Sequence, residues 1–368
     1  MTGNTPIKDV RYQVTHACNL KCPHCFSNSG KAMRDELSLE EAKKMVLDLK
    51  DNGLKLFTLT GGEPLIRKDF TLDLVEFLSD LEIYNRVFTN GTLVNRKIAR
   101  ELKERGVNEV QISLDGTEEI HDQWRGVQGS FKKSIKAIKL LKSADIKTAI
   151  RVTIMPFNYD QMPELLELAE ELEVSAFRVK PFISVGRGKE NQKYLLTPEQ
   201  HETAISYLVN KRRESKINIQ LLTPSYAFLY DKYLDLSKIK RKYKSYKCSC
   251  GNSLGAITPD GYLKPCGYFS EKLGNVRRDN IKEIWNCNKF VCSLRAVQLN
   301  KVCMTCEYIA LCGGGCRASA YENNGGSLGS IDPLCPKINA QKRLQLSNTS
   351  RASVCDLGVS YQLSVVSN

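Results

Sequence analysis

The feature that most constrains the fold is a regular alternation of strand-like and helix-like segments between residues 10 and 180. Six short apolar runs of strand length are separated by segments with helical periodicity. Such an alternation predicts a parallel sheet covered by helices. Six units are too few for a complete eight-stranded barrel, so we predict an α/β fold built on an open, partial (β/α)6 TIM-like barrel. The predicted strands are 11–15, 56–60, 86–89, 110–114, 148–154 and 176–180.

Helix-start signals support the same frame. Ser38 and Glu41 have the spacing of a capping box, and Thr197 followed by Pro198 is typical of a helix start. Ser130 is predicted to cap the helix that carries Phe131. The other predicted helices cover about 70–81, 97–105 and 160–172.

The residues that can carry chemistry follow the predicted strands. A cysteine loop follows the first strand, Gly61-Gly62-Glu63-Pro64 follows the second, and Ser113-Leu114-Asp115-Gly116 follows the fourth. The carboxyl ends of parallel strands lie at one edge of a barrel, where active sites gather. We therefore predict the functional site at that edge.

The 14 cysteines fall into two blocks, one at 18–25 and one from 248 to 355. Residues 1–10 contain no apolar run typical of a secretory signal, so we predict a cytoplasmic, reducing location. Clustered cysteines there more often bind metal than pair with each other. The predicted domains are a barrel core at 1–183, a helical and basic linker at 184–247, a small metal-held domain at 248–340 and a polar, disordered tail at 341–368.

Three cysteines of the first block are spaced C-x3-C-x2-C, at Cys18, Cys22 and Cys25. Three thiolates on one loop can hold three irons of a cubane cluster and leave the fourth iron open. A zinc site or structural thiols are the alternatives. With Gly61-Gly62-Glu63-Pro64 on the next strand end, the pattern resembles the radical S-adenosylmethionine (radical SAM) superfamily.

The resemblance implies a [4Fe-4S] cluster whose open iron chelates S-adenosylmethionine (AdoMet). One electron then cleaves AdoMet to a 5′-deoxyadenosyl radical, which takes a hydrogen atom from the substrate. It also implies that His24 packs near the adenine. The implied cofactor-binding residues are Gly61, Gly62, Glu63, Pro64, Ser113, Asp115 and Arg125.

The second block contains a C-x2-C-x5-C-x3-C run that resembles the SPASM extension of this superfamily. The resemblance implies two auxiliary [4Fe-4S] clusters, three clusters in all. The first is assigned Cys250, Cys266 and Cys316, with Cys248 or an open position as the fourth ligand; the second is assigned Cys303, Cys306, Cys312 and Cys335. A zinc-ribbon module is the alternative. Three more thiols match no motif position: Cys287, Cys292 and Cys355.

The formal charge of +13 raises the question of nucleic-acid binding. Much of the excess lies in runs, such as 231–247 with seven Lys or Arg against two Asp, and we predict no nucleic-acid partner. No segment has 18 consecutive apolar residues, so no membrane span is predicted. The basic surface is consistent with an acidic electron donor such as flavodoxin or ferredoxin.

Within the superfamily the sequence most resembles peptide maturases of the pyrroloquinoline quinone and mycofactocin type. That resemblance implies oxidative modification of a ribosomally made peptide, with an auxiliary cluster accepting the second electron and possible help from a separate recognition protein. Oxidative decarboxylases of tetrapyrrole side chains in heme biosynthesis are the alternative substrate class. Sulfatase-maturing enzymes carry Asp where this chain has Gly267, which counts against that activity. A non-catalytic iron–sulfur or zinc protein is the alternative of another class, and no proton-handling residue is assigned.

Overall fold

The computed structural model describes residues 5–224 and 247–335. Its strands form one ten-stranded sheet in the order β10-β9-β8-β1-β2-β3-β4-β5-β6-β7. Neighbours from β8 through β1 to β7 are parallel, whereas β8, β9 and β10 pair antiparallel. The strands are β1 Asp9–Gln13, β2 Leu56–Thr60, β3 Tyr84–Thr89, β4 Glu109–Ser113, β5 Thr148–Ile154, β6 Ala176–Pro181, β7 Asn218–Leu221, β8 Leu254–Ile257, β9 Tyr262–Lys264 and β10 Gly274–Asn275.

Helices connect the parallel strands and continue into the C-terminal part. Within residues 5–224 and 247–335, no helix is long and apolar enough to cross a bilayer. The helices are α1 Leu39–Asp51, α2 Lys68–Asp80, α3 Arg96–Glu104, α4 Glu118–Arg125, α5 Ser130–Ser143, α6 Met162–Glu171, α7 Pro198–Lys211, α8 Ile281–Cys287, α9 Lys289–Arg295, α10 Lys301–Met304, α11 Ile309–Cys312 and α12 Arg317–Asn323.

The α/β partial barrel is confirmed, and all six predicted strands are present within two residues of their predicted bounds. The sheet is larger than predicted, because β7 pairs with β6 and β8 pairs with β1. Thus the C-terminal part adds strands to the barrel sheet itself. The basic run at 231–246 and the tail at 341–368, with Cys355, lie outside the described residues.

The helix starts follow local hydrogen bonding. The capping box before α1 is confirmed, since the Ser38 hydroxyl accepts from the Glu41 amide and the Glu41 carboxylate accepts from the Ser38 amide. The prediction that Ser130 caps α5 is wrong: the cap is Gly129, in the left-handed region at φ 78°. The Asp122 carboxylate serves this helix start instead, accepting from the Phe131 amide at 2.7 Å.

The two faces of the sheet differ in polarity, and this difference positions the site. Val10 and Tyr12 of β1 are fully buried in the apolar layer between sheet and helices, together with the α1 residues Met45 and Leu49. Arg11 and Gln13 alternate with them and line the lumen. The apolar layer therefore stabilises the fold, while the polar side chains of β1 face the lumen.

Candidate functional site

A cavity lies in the lumen at the carboxyl ends of the strands. It is lined by all three cysteines of the first block and by Gly61, Gly62, Ser113, Asp115 and Arg125. Glu63 and Pro64 are not among its lining residues. The cavity also borders the C-terminal part, through Gly267 and Tyr268.

The cysteine loop is held by backbone hydrogen bonds and by one arginine. The Cys18 amide donates to Gly30 O at 2.9 Å, which closes the loop. Arg187, beyond β6, donates to Cys22 O at 2.9 Å and to the side chain of Asn28 at 3.2 Å. The sequence did not indicate Arg187, because its contacts span more than 150 positions.

Burial favours the protonated form of two thiols of this loop, Cys18 and Cys22. Burial raises the pKa of Cys18 to about 11 and also raises the pKa of Cys22. Metal binding removes such protons, because the thiolate is the ligand. The three thiols on one loop, facing one cavity, fit the cluster that the C-x3-C-x2-C spacing implies.

Gly61 and Gly62 join the end of β2 to the cysteine loop. The Gly62 amide donates to Thr15 O at 2.7 Å, and the Glu63 amide donates to Ala17 O at 2.8 Å. Gly61 has φ 151°, where a Cβ would also lie 2.6 Å from Thr15 O. Glycine is therefore required at position 61 because the backbones of β2 and of the segment after β1 approach each other closely there.

We expect Gly62→Ala to lower AdoMet affinity at least tenfold. A Cβ at Gly62 would overlap the carbonyl group of Ala17, so the cysteine loop must move away from β2. Isothermal titration of the anaerobic protein measures the affinity, and Gly30→Ala is the matched control because a Cβ there meets no atom within 4 Å. Equal affinity in the two variants would contradict this role of Gly62.

Glu63 is fully buried and its carboxylate is engaged by neighbouring strand ends. It accepts from the Thr89 hydroxyl at 2.6 Å, from the Asn90 amide at 2.8 Å and from the Leu65 amide at 3.1 Å. Burial nevertheless raises its pKa. The structure thus places Glu63 between β2 and β3 as a support for the Gly-Gly segment.

Asp115 and Arg125 form a buried ion pair beside the cysteine loop. Their nearest atoms, Oδ2 and Nη2, are 2.6 Å apart, and Arg125 Nη1 is 3.7 Å from Cys22 Sγ. Burial alone would raise the pKa of Asp115, but the charge of Arg125 and the hydrogen bonds from His24 and the Thr153 amide together outweigh it and hold that pKa well below its usual range. The sequence predicted each residue as a cofactor contact, which stays a prediction; it predicted neither their ion pair nor α4, which carries Arg125.

His24 lies against an aromatic group. Its ring stacks on Trp124 with centroids 5.4 Å apart, and Trp124 Nε1 donates to its Nδ1. Its Nε2 is 3.3 Å from Asp115 Oδ2, and burial lowers the pKa of the imidazole. Packing of His24 near an adenine stays a prediction.

Deeper in the lumen lie cations that the sequence analysis did not select. Arg11, Arg151 and Lys180 line the cavity with Tyr268. Burial raises the pKa of Tyr268, but Lys180 and Arg151 outweigh it and bring the value down to about 8. Charged residues at inward positions of strands were the available signal, since buried strands are otherwise apolar.

The structure brings together the four cysteines assigned to the first auxiliary cluster. Cys248 Sγ is 3.0 Å from Cys250 Sγ, Cys266 is hydrogen bonded to Cys250, and Cys316 interacts with Cys248 and Cys266. Cys248 as the fourth ligand stays a prediction, and its distance from Cys250 is compatible with that role. The hydrogen bond with Cys250, backbone donors and Lys180 lower the pKa of Cys266 to about 6.

The second auxiliary set is gathered around Asp332. Cys312 interacts with Asp332 and Cys335, and burial raises its pKa to about 12. Cys303 interacts with Cys306, whose amide donates to Cys303 O at 3.1 Å. Within the described ranges, no group of three or more Cys, His, Asp or Glu is arranged to hold a single metal ion.

Comparison with known families decides the assignment. Residues 12–169 match the radical SAM superfamily, and residues 248–307 match an iron–sulfur cluster-binding domain, SPASM. The AdoMet-dependent heme synthase of Methanosarcina barkeri is 30% identical over 337 residues, which are 89% of this chain and 95% of that protein. This chain belongs to the radical SAM superfamily.

Two further relatives place this radical SAM protein more closely. The mycofactocin maturase MftC of Mycolicibacterium smegmatis is 30% identical over 336 residues, covering 89% of this chain and 82% of that protein. The crystal structure of Streptococcus suis SuiB bound to S-adenosylmethionine has a TM-score of 0.73 and 20% identity, covering 90% of this chain and 77% of that one. The two family matches confirm the superfamily and the SPASM extension that the cysteine spacing predicted.

Proposed function

We propose that this radical SAM protein is an oxidoreductase that takes a hydrogen atom from its substrate and passes a further electron to an auxiliary cluster. One observation carries the proposal. The same cavity is lined by the three cysteines of the first block and by Gly267 and Tyr268, which directly follow the auxiliary ligand Cys266. A substrate bound in this cavity would lie next to both the cysteine loop that would hold the AdoMet cluster and the residues beside an auxiliary cluster.

The residues fit three clusters and AdoMet. Cys18, Cys22 and Cys25 would hold the AdoMet cluster, and the two auxiliary sets would hold the others. When bound, the clusters and AdoMet supply the one-electron chemistry in which a hydrogen atom is removed and a second electron is accepted. Gly61 and Gly62 leave room for the cofactor. Asp115 holds the guanidinium group of Arg125 beside Cys22.

For the substrate we propose a tetrapyrrole that carries carboxylate side chains. The likeness to the heme synthase runs through 95% of that protein and so includes the C-terminal module. The lumen cations Arg11, Arg151 and Lys180 suit an anionic molecule. Loss of one hydrogen atom, one electron and CO2 converts a carboxyethyl side chain into a vinyl group.

A ribosomally made peptide is the second candidate. Its support is the 30% identity to the mycofactocin maturase, which is as high as the identity to the heme synthase. Among peptide-modifying activities, sulfatase maturation is disfavoured, because this chain has Gly267 where sulfatase-maturing enzymes carry Asp. A Cβ at Gly267 would lie 3.2 Å from the Phe26 ring. A flavodoxin or ferredoxin as electron donor, and a recognition protein for a peptide, belong to the same proposal.

The test is anaerobic reconstitution with iron and sulfide, followed by dithionite and AdoMet. Formation of 5′-deoxyadenosine is expected, and it should rise when iron-coproporphyrin III is added, with loss of CO2 from the porphyrin by mass spectrometry. If no 5′-deoxyadenosine formed, the proposed enzymatic activity would be contradicted, and a non-catalytic electron carrier or scaffold would remain. Cleavage of AdoMet with product from a precursor peptide alone would favour the second candidate.

Iron content tests the cluster number. We expect about twelve iron atoms per chain, and about eight in Cys303→Ala, because a cubane needs its thiolate ligands. Cys303→Ala should keep AdoMet cleavage yet lose product formation, since it leaves the cysteine loop intact. Cys292→Ala is the control, because Cys292 matches no cluster position. Eight atoms in the parent protein would remove one auxiliary cluster from the proposal.

A further inference from the structure

The lumen carries more positive than negative side chains. Because side chains alternate along a strand, residues two positions apart share the inward face. The inward carboxylates Asp9 and Glu109 lie below the cavity, and Glu109 is paired with Arg178 at 2.5 Å. The inward cations on these strands are Arg11, Arg86, Arg151, Arg178 and Lys180.

Three of these cations line the cavity: Arg11, Arg151 and Lys180. Among the residues that the structure describes, no carboxylate forms a salt bridge with any of the three, since Glu109 is held by Arg178 and Asp115 by Arg125. Lys180 is only 8% exposed, whereas Arg11 and Arg151 are half-buried and interact electrostatically with Asp9 and Asp115 without a salt bridge. Keeping cations partly or fully out of water without an ion-pair partner is costly, so this arrangement favours a negatively charged ligand.

Two of the cations, Arg151 and Lys180, meet at Tyr268. Arg151 Nη2 donates to the Tyr268 hydroxyl at 3.3 Å, and Lys180 Nζ lies 3.2 Å from the centre of the ring. Tyr268 in turn packs against Phe26 of the cysteine loop, with ring centroids 5.1 Å apart. These two cations are thus fixed relative to the cysteine loop and to Cys266, which lies two residues before Tyr268.

We propose that Arg11, Arg151 and Lys180 form a binding site for a carboxylate of the substrate. The inference rests on the proposed function and names the group by which the substrate is held. Guanidinium groups match a carboxylate in two parallel hydrogen bonds, and a lysine adds a point charge. A neutral substrate would leave all three cations without a salt-bridge partner.

An auxiliary cluster is the competing counter-charge. Lys180 interacts electrostatically with Cys316, so a bound cluster would offset part of its charge. That explanation does not extend to Arg151 on β5, whose charge interacts with Tyr268, Arg11 and Asp115 and not with an auxiliary cysteine. We therefore assign the three cations to the substrate, with Lys180 at the boundary of the auxiliary site.

The geometry also limits which carboxylate is held. Strong pairing of a carboxylate with three cations would oppose its loss as CO2, because the ionised ground state is stabilised. The bound carboxylate is thus one that the reaction keeps. A substrate with several acidic side chains meets this requirement, with one group on the cations and another exposed to the cysteine loop.

Equilibrium dialysis of the anaerobically reconstituted protein tests the site without any turnover. The probes are coproporphyrin III, its tetramethyl ester and a glutamate-rich heptapeptide. We expect the porphyrin acid to bind at least tenfold tighter than the ester. Arg151→Gln and Lys180→Gln should each raise the Kd of the acid about tenfold, since a charge-assisted hydrogen bond contributes on that order.

The controls are Arg100→Gln and Lys97→Gln, whose side chains are 70% and 68% exposed on α3; both should leave the Kd unchanged. Binding of the peptide instead of the porphyrin, weakened by the lumen variants, would support the carboxylate site with a peptide source. A Kd within twofold of the parent in both lumen variants would overturn it.

A second outcome would also overturn the carboxylate site. If the lumen variants altered the electron paramagnetic resonance spectrum of the auxiliary clusters but left the Kd unchanged, the cations would serve the cluster and not the substrate. Failure of the proposed function has a different signature. In that case the parent protein binds the porphyrin acid but forms no 5′-deoxyadenosine.

Discussion

Cys22→Ala should abolish AdoMet cleavage, leaving less than about 1% of the parent rate. Cys22 is the buried member of the loop triplet, and it is the thiol next to Arg125, at 3.7 Å. With two thiolates left, the loop cannot hold the three irons of a cubane that leaves one iron open. The rate is measured as 5′-deoxyadenosine formed under dithionite, with iron counted in the same samples.

Cys287→Ala is the matched control for this result. Cys287 is exposed at the end of α8 and matches no cluster position. We expect its variant to retain the iron content and the cleavage rate of the parent. If Cys22→Ala cleaved AdoMet at more than a tenth of the parent rate, the loop would not be the site of the cofactor cluster.

Asp115→Ala should destabilise the protein by about 3–5 kcal/mol, because it leaves Arg125 as a buried charge without its partner. Asp115 also accepts from the part-buried Thr153 amide at 2.9 Å, so the variant leaves this donor without its partner as well. The midpoint of urea unfolding, followed by circular dichroism, measures the effect. AdoMet affinity should fall as well, because the pair lines the cavity beside Cys22.

The double variant Asp115→Asn/Arg125→Gln keeps this prediction testable if the single variant does not fold. Removing both charges is expected to cost less stability than removing one, since no unpaired charge remains. Asp69→Ala is the surface control: Asp69 is 85% exposed and 2.9 Å from Lys68, and its loss should cost under about 1 kcal/mol. An equal loss in Asp69→Ala and Asp115→Ala would contradict the importance of burial.

The strands of the barrel were predictable because each is a short apolar run bounded by turn residues, as in Leu56–Thr60 and Thr148–Ile154. The site at the strand ends was predictable for a similar reason. Cys18, Cys22 and Cys25 lie within eight residues, so their proximity is local and needs no knowledge of tertiary structure.

The parts that sequence reasoning missed depend on long-range pairing. β7 and β8 have only four residues each, too few for a distinct period, and their place in the sheet comes from partners far away in the chain. The lumen cations were missed because Arg11, Arg151 and Lys180 lie on three strands, and nothing local links them. The role of Ser130 was misjudged because Asp122, eight residues earlier, already serves that helix start.

The pairing of β8 with β1 has a consequence for how the chain is made. Asp9 at the start of β1 is opposite Leu254, a partner synthesised almost 250 residues later. Until then, β1 has one hydrogen-bonding edge exposed on the nascent barrel, and exposed edges pair readily with other chains. Completion of the fold is thus a late, non-local step, which makes it slow. A ribosome pause or a truncation before residue 254 would leave β1 as an unpaired edge strand of the barrel sheet.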